Sequence, residues 1–389
     1  MPASARHNVA TMTVTFAEKL ARIPHYEPGV SLDDAKARAQ TSDAVKLASN
    51  ESPLPPHPQV IEAIAAAAGD INRYPDPEAR VLRSRIAERC ETEPGRIAVS
   101  NGSCEILLAA AEALCEPDAE IVYAWPSFSM YPHMAALSGA REIRVPLADG
   151  WVHDLDAMHE EVTAATQIVV VCNPNNPTGT YLPAERIAAF VESVPEHVTV
   201  ILDEAYIEYQ AVDHPDATID LLPDHPNLVL LRTFSKVYGL AGLRVGYALC
   251  SAQFRAAVDA VRQPFSVNLL AQTAAAEALL HQDDVANRVE KNIVERMFVE
   301  EGLGELGLET ADSQANFVWV GLGDRDESEL VGALVDRQHQ AVGDVDEGDD
   351  GGEGEQRVHE VDDLVELCGA GVDVFAAALH LGVRVGVGD

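Results

Sequence analysis

The chain has 389 residues, is 47% hydrophobic and carries a formal net charge of −36. That length suits about two domains with a large core. The acidic balance argues against nucleic-acid binding and against docking on an anionic membrane, both of which need clustered basic residues; a solvated acidic surface is the plain explanation. No apolar run has signal-peptide length at the N-terminus, and no 18-residue apolar stretch occurs anywhere. The six cysteines form no CxxC pair and no zinc-like cluster with histidine, so a reducing, cytoplasmic setting without a metal is expected.

In chain order, strand-like apolar runs alternate with helix-like segments. Ile97–Ser100 precedes Asn101-Gly102-Ser103 and an alanine-rich helical stretch from Cys104 to Cys115. Glu120–Ala124 is the next strand, followed by a helix expected to start near Ser127 and a strand at Ile143–Val145. Gln167–Cys172 and Val198–Leu202 are continuous apolar runs, and Pro183–Val194 fits a helix between them with proline in its first turn. Asn227–Leu231 is a further buried strand. Fully apolar strands in a βαβα rhythm predict a mostly parallel sheet covered by helices on both faces, with ligands at the carboxyl ends of the strands. Val285–Glu301 reads as a helix and Ala315–Val320 as the core of a strand, both in a smaller C-terminal domain. After Arg337 the composition changes. The chain becomes mostly Gly, Val, Asp, Glu and Ala, and Asp344–Glu355 has no core-forming pattern. These five residue types all use codons beginning with G, which fits translation in a wrong frame; a genuine acidic insertion or tail is the alternative.

Four predicted strands end in polar groups: Asn101-Gly102-Ser103, Asn173–Gly179, Asp203–Tyr206, and Thr233–Lys236. Lysine is scarce, the others being Lys19, Lys36, Lys46 and Lys291. A lysine at the end of a buried strand is poorly placed for surface duty and well placed for Schiff-base chemistry, although a snorkelling loop lysine is the bland alternative. A lysine holding pyridoxal phosphate needs an anion for the pyridine nitrogen, donors for the ring hydroxyl, and amides, hydroxyls and a cation for the phosphate. Asp203, Asn176 with Tyr206, and Gly102-Ser103-Cys104 with Ser235 and Arg244 have the right chemistry in the right places. Turn, cap or ion-pair roles are the structural alternatives for each.

With these residues the chain resembles the fold-type I pyridoxal-phosphate aminotransferases, and among them the histidinol-phosphate branch, from about Phe16 to Arg337. Asn175-Asn176-Pro177-Thr178-Gly179 is similar to the family's N-P-T-G loop, and Asp203-Glu204-Ala205-Tyr206 to its D-x-A-Y segment. Ser235-Lys236 with Gly242-Leu243-Arg244-Val245-Gly246 is similar to its lysine motif and phosphate-binding arginine. The resemblance implies an α/β fold-type I architecture with a seven-stranded, mostly parallel sheet between helices and a smaller α+β domain. It implies pyridoxal 5'-phosphate as cofactor and Lys236 as the catalytic amine. Asp203 would face the pyridine nitrogen, Asn176 and Tyr206 the ring hydroxyl, and Thr233 supplies a further hydroxyl. Trp125-Pro126-Ser127-Phe128 points to Phe128 stacking on the ring.

Tyr26-Glu27-Pro28-Gly29, Leu47–Pro53 with Asn50 near the substrate, and Arg73-Tyr74-Pro75-Asp76 favour the histidinol-phosphate branch. In that branch the tyrosine of the last motif, here Tyr74, reaches the cofactor phosphate of a neighbouring subunit, which implies a homodimer. The implied substrates are histidinol phosphate and 2-oxoglutarate or glutamate; an aromatic-amino-acid aminotransferase, a phosphothreonine decarboxylase and a cofactor-binding but inactive protein are the rivals. The expected organisation is an N-terminal arm over 1–45, a large domain over 46–285, a small domain over 286–337 and the anomalous tail 338–389. One departure is plain. The family's substrate-carboxylate arginine lies in an R-[VI]-[TS]-x-G strand followed by a helix, and here only Arg384, in Val383–Gly388, echoes it.

Overall fold

The computed structural model describes residues 16–24, 48–323 and 384–386. The helices and strands, in chain order, are α1 Pro58–Ala67, α2 Arg80–Arg89, β1 Ile97–Ser100, α3 Ser103–Leu114, β2 Glu120–Trp125, α4 Met130–Ser138, β3 Arg141–Pro146, α5 Leu155–Glu160, β4 Thr166–Cys172, α6 Ala184–Ser193, β5 Thr199–Asp203, β6 Leu228–Thr233 and β7 Gly246–Leu249. They continue as α7 Ala252–Val261, α8 Leu269–Ala278, α9 Gln282–Glu305, β8 Glu309–Thr310, β9 Trp319–Gly321 and β10 Arg384–Gly386.

Seven strands form one sheet in the order β1-β7-β6-β5-β4-β2-β3. All neighbours are parallel except β7, which runs antiparallel to both β1 and β6. Two reversals restore β1 to the direction of β6. The carboxyl ends of β1, β4, β5 and β6 and the start of β7 therefore share one edge. The alternation of side chains along each strand explains the unbroken apolar runs. Val169, Val171, Val200, Leu202, Leu228 and Leu230 enter one core, with Leu82 of α2 and Phe190 of α6. Ile168, Val170, Ile201, Val229 and Leu231 enter the other, with Ile106 of α3 and Phe254 of α7. Helix α6 shows how its sequence selects the buried face: Ile187, Phe190 and Val191, spaced i, i+3, i+4, are its buried residues. Proline 183 stands at its N-cap rather than inside its first turn.

One strand was not foreseen, and two expectations need correction. Strand β7 lies within the expected lysine motif, whose glycines concealed an extended segment. The helix expected near Ser127 begins at Met130, because the buried Ser127 hydroxyl bonds Asn175 Oδ1 at 2.8 Å instead of capping a helix. Ala315–Val318 is not strand; only Trp319–Gly321 pairs, between Glu309–Thr310 and Arg384–Gly386. There the backbone is claimed by side chains. Ala315 O accepts from Arg296 and Asn292, and Phe317 O accepts from Ser313. Such bonds replace a ladder. Among the described residues no helix is long and apolar enough to cross a membrane.

Close packing of β7 against the first turn of α3 requires glycine at 246. A Cβ there would lie 2.5 Å from Ser103 N and 3.1 Å from Arg232 O. We expect Gly246→Ala to lower unfolding stability by about 1–3 kcal/mol, the usual cost of overpacking. Urea denaturation of the two proteins measures it, and an unchanged midpoint would contradict this packing argument.

Candidate active site

Strand β6 delivers Lys236 to the shared edge. Phe234 is fully buried and anchors the turn, Ser235 N donates to Thr233 Oγ1 at 3.1 Å, and Lys236 emerges half-buried. Its Nζ donates to Ser49 O at 2.9 Å and Asn50 O at 3.2 Å, and lies 5.2 Å from the centre of the Tyr206 ring. Ser49 and Asn50 both have positive φ, 72° and 51°. Non-glycine residues adopt this conformation in succession only when the surroundings impose it. Here it turns two consecutive carbonyls toward one ammonium. Asn50 Nδ2 donates to the Tyr206 hydroxyl at 3.0 Å, and Asn176 Nδ2 donates to the same oxygen at 3.3 Å. The structure thus gathers Lys236, Asn50, Asn176 and Tyr206 from four separate segments. Asn316 joins them: its Nδ2 donates to Asn50 O at 3.2 Å, while its buried Oδ1 has no hydrogen-bond partner among the described residues.

Asp203 is the last residue of β5 and is 2% exposed. Burial pushes its pKa up to about 6; the Tyr131 hydroxyl and the Ala205 N–H, which both donate to it, and the charge of Lys236 pull the other way. Tyr131 bonds Oδ2 at 2.9 Å and Ala205 N bonds Oδ1 at 3.3 Å. Glu204, the next residue, projects to the other side and is treated differently. Its carboxylate pairs with Arg232 Nε at 2.8 Å, and Arg232 also reaches Asp216 at 2.7 Å. Two adjacent buried carboxylates thus part company: Glu204 is held in an ion-pair network, whereas Asp203 is held by neutral donors. Phe128 packs edge-to-face on Tyr131, with ring centres 5.7 Å apart.

The end of β1 turns through Gly102, with φ 76°, into the N-terminus of α3. A Cβ on Gly102 would lie 2.5 Å from Arg244 Nη2, so the guanidinium rests directly on this glycine. Arg244 itself has φ 56° and is exposed. The first amides of a helix have no intrahelical acceptor and carry the positive end of its dipole. With Ser103 and Cys104 in the first turn of α3 and Arg244 against Gly102, this corner is a candidate anion cradle. The Cys104 thiol is pushed up by burial and by the Asp203 charge, and drawn down by Arg244 and Lys236, which places the turn within electrostatic reach of all three.

Tyr74 stands apart, 82% exposed and stacked on Phe265 with ring centres 4.7 Å apart. Tyr26 lies outside the described residues. Arg384 lies in β10, its backbone paired in parallel with Trp319 of β9. Tyr131, Ser49 and Asn316 were not singled out from the sequence. An asparagine inside the apolar run Ala315–Val320 was a legible signal for the last; nothing in the sequence aims the Tyr131 hydroxyl at Asp203. Among the described residues no group of His, Cys, Asp and Glu is arranged to hold a metal ion.

Comparison with known proteins accords with this geometry. Residues 42–347 match the family of class I and II aminotransferases. The chain is 45% identical over 305 residues to an aromatic amino acid aminotransferase of Thermobifida fusca, spanning 78% of this chain and 82% of that protein. It is 44% identical over 300 residues to a histidinol-phosphate aminotransferase of Akkermansia muciniphila, spanning 77% and 82% respectively. Among solved structures it is similar to the histidinol-phosphate aminotransferase of Sinorhizobium meliloti in complex with pyridoxal-5'-phosphate, with a TM-score of 0.76 and 32% identity over 84% of this chain and 87% of that one. The chain therefore has the fold-type I architecture of a pyridoxal-phosphate-dependent enzyme and belongs to the class I and II aminotransferases.

Proposed function

We propose that the chain transfers an amino group between L-histidinol phosphate and 2-oxoglutarate, acting as a homodimer. The observation that carries this reading is the junction at Asn50, from the Leu47–Pro53 motif, which touches Lys236 through its carbonyl and Tyr206 through its amide. In this reading residues 46–285 form the large, cofactor-holding domain, and 1–45 with 286–337 belong to the smaller one.

Pyridoxal 5'-phosphate, when bound, supplies the carbonyl that takes up the amino group and a ring that withdraws electrons from the substrate carbon. The residues fit it. A Cβ on Gly102 would lie 2.5 Å from Arg244 Nη2, so glycine here lets a cation rest at the N-terminus of α3, as a phosphate site requires. The Ser103 and Cys104 amides, Ser235 and Arg244 would hold the phosphate, with Thr233 bracing the Ser235 amide. Phe128 would stack on the ring. Asn176 and Tyr206, which are hydrogen-bonded to each other, would meet the ring hydroxyl. Asp203 would hold a proton on the pyridine nitrogen, and that cation would offset the burial cost of the carboxylate. Lys236 would hold the cofactor through its amine and would move a proton at the substrate α-carbon. Asn50 and Tyr26 face the substrate, and Arg384 is the candidate partner of a substrate carboxylate. Tyr74, outward-facing in a single chain, reaches the phosphate held by the neighbouring subunit.

An aromatic aminotransferase is the competing reading, favoured by the 45% identity to the Thermobifida protein. Turnover separates the two. With 2-oxoglutarate as acceptor, kcat/KM for histidinol phosphate should exceed that for phenylalanine by at least about tenfold, which corresponds to about 1.4 kcal/mol of transition-state preference. The reverse order would assign the aromatic function.

Asp203 also sets a pH dependence. In the cofactor-free chain its pKa is raised to about 6, so the ionised form is lost as pH falls through that value; a pyridinium beside it would draw the pKa down. Tyr131 opposes that rise. Tyr131→Phe is expected to move the acid limb of the kcat profile to higher pH, while activity on the alkaline side is kept within about threefold. An acid limb that stays in place would show that Tyr131 does not tune Asp203.

A further inference from the structure

A chain of side chains runs from Tyr74 to the anion cradle of the same subunit, and it passes through the segment between α7 and α8. The Tyr74 ring lies on Phe265, which is held at φ 61°. Ser266, the next residue, donates from Oγ to Glu105 Oε2 at 3.0 Å. The same Glu105 oxygen accepts the Asn101 N–H at 2.6 Å, immediately before Gly102 and Ser103. Arg262 closes the arrangement from behind. Its Nη1 donates to Ser266 Oγ at 3.2 Å, its Nη2 to Pro77 O at 3.0 Å, and its Nε to Asp259 Oδ1 at 2.8 Å. Gln272 ties Asp76 O and Val267 O together, each at 2.9 Å.

The left-handed Phe265 needs a reason, since a bulky residue at positive φ is strained. Its neighbours supply one. Val267 is 2% exposed and anchors the segment in the core, while Ser266 points to Glu105. The φ of Phe265 turns its ring outward to Tyr74 between these two fixed points. Glu105 presents a second oddity. It is an acid in the first turn of the helix whose N-terminus forms the anion cradle, where a free carboxylate would repel a phosphate. Its Oε2 is instead engaged by the Asn101 amide and the Ser266 hydroxyl, with the Arg262 charge one hydroxyl away.

We infer that Phe265, Ser266 and Glu105 form a positioning strut that sets the anion cradle of one active site and the placement of Tyr74, offered to the other, as a single unit. These are positioning residues: they act through Asn101 and Tyr74. The inference rests on the proposed placement of the cofactor phosphate at Gly102–Cys104 and Arg244.

The test measures affinity of the full chain, stripped of cofactor, for pyridoxal 5'-phosphate and for pyridoxal, which lacks the phosphate. Ser266→Ala and Phe265→Ala should each weaken pyridoxal 5'-phosphate about fivefold, the effect of one ordinary hydrogen bond or ring contact, and leave pyridoxal unchanged. Ser266→Thr should restore the wild-type value. Unchanged affinity for pyridoxal 5'-phosphate in Ser266→Ala, or equal weakening of both ligands, overturns the strut. Arg244→Gln is the control for the underlying reading. If it too fails to lower the preference for the phosphorylated ligand, the phosphate placement is wrong and the strut falls with it. If it lowers that preference while Ser266→Ala does not, the strut alone is wrong.

Discussion

The site depends on a carboxylate that, among the described residues, is buried without an arginine as ion-pair partner. Asp203 ends the central strand β5, flanked by β4 and β6, and every other element of the site is arranged around that position. Burial of an anion is costly unless hydrogen bonds or a cation compensate it. Tyr131 and the Ala205 amide compensate in part, and the pKa is still raised to about 6. In the proposed reading, a cationic pyridine nitrogen would complete the compensation. The contrast with Glu204, satisfied by Arg232 and Thr218 one residue later, shows that the fold has the means to neutralise a buried carboxylate and does not use them on Asp203. The cost in stability is consistent with a functional role. A group whose folded pKa is raised is most favourable to the fold when protonated, so ionised Asp203 weakens the cofactor-free protein above pH 6.

The topology explains how four distant segments reach that carboxylate. Parallel strands place their carboxyl ends on one edge, so Asn101–Ser103, Asn173–Gly179, Asp203–Tyr206 and Thr233–Lys236 converge without any special loop. The antiparallel β7 adds Arg244 from its amino end to the same edge. Glycines set the distances. Gly102 admits the arginine, and Gly246 lets β7 lie against the first turn of α3.

Much of this was legible in the sequence, for physical reasons. Strands buried on both faces read as unbroken apolar runs, so β1, β4, β5 and β6 were found within a residue or two. The polar residues after them marked the binding edge. What was not legible depends on side-chain direction across the fold. Strand β7 is short and begins with glycine, which hid its extended conformation. Ala315–Val318 has the composition of a strand, yet Arg296, Asn292 and Ser313 take its carbonyls. Tyr131 looks like an ordinary aromatic in an apolar helix, and only the three-dimensional arrangement reveals its bond to Asp203. The left-handed turn at Ser49 and Asn50, which aims two carbonyls at Lys236, has only a faint sequence signal: asparagine tolerates positive φ, but serine rarely adopts it.

The central claim is that Lys236 is the amine that carries the cofactor. Borohydride reduction of the purified holoenzyme followed by peptide mass mapping tests it directly. The account predicts a pyridoxyl group on the peptide containing Lys236, absent from Lys19, Lys36, Lys46 and Lys291, and lost in Lys236→Ala. A pyridoxyl group on another lysine, or none on Lys236, would contradict it.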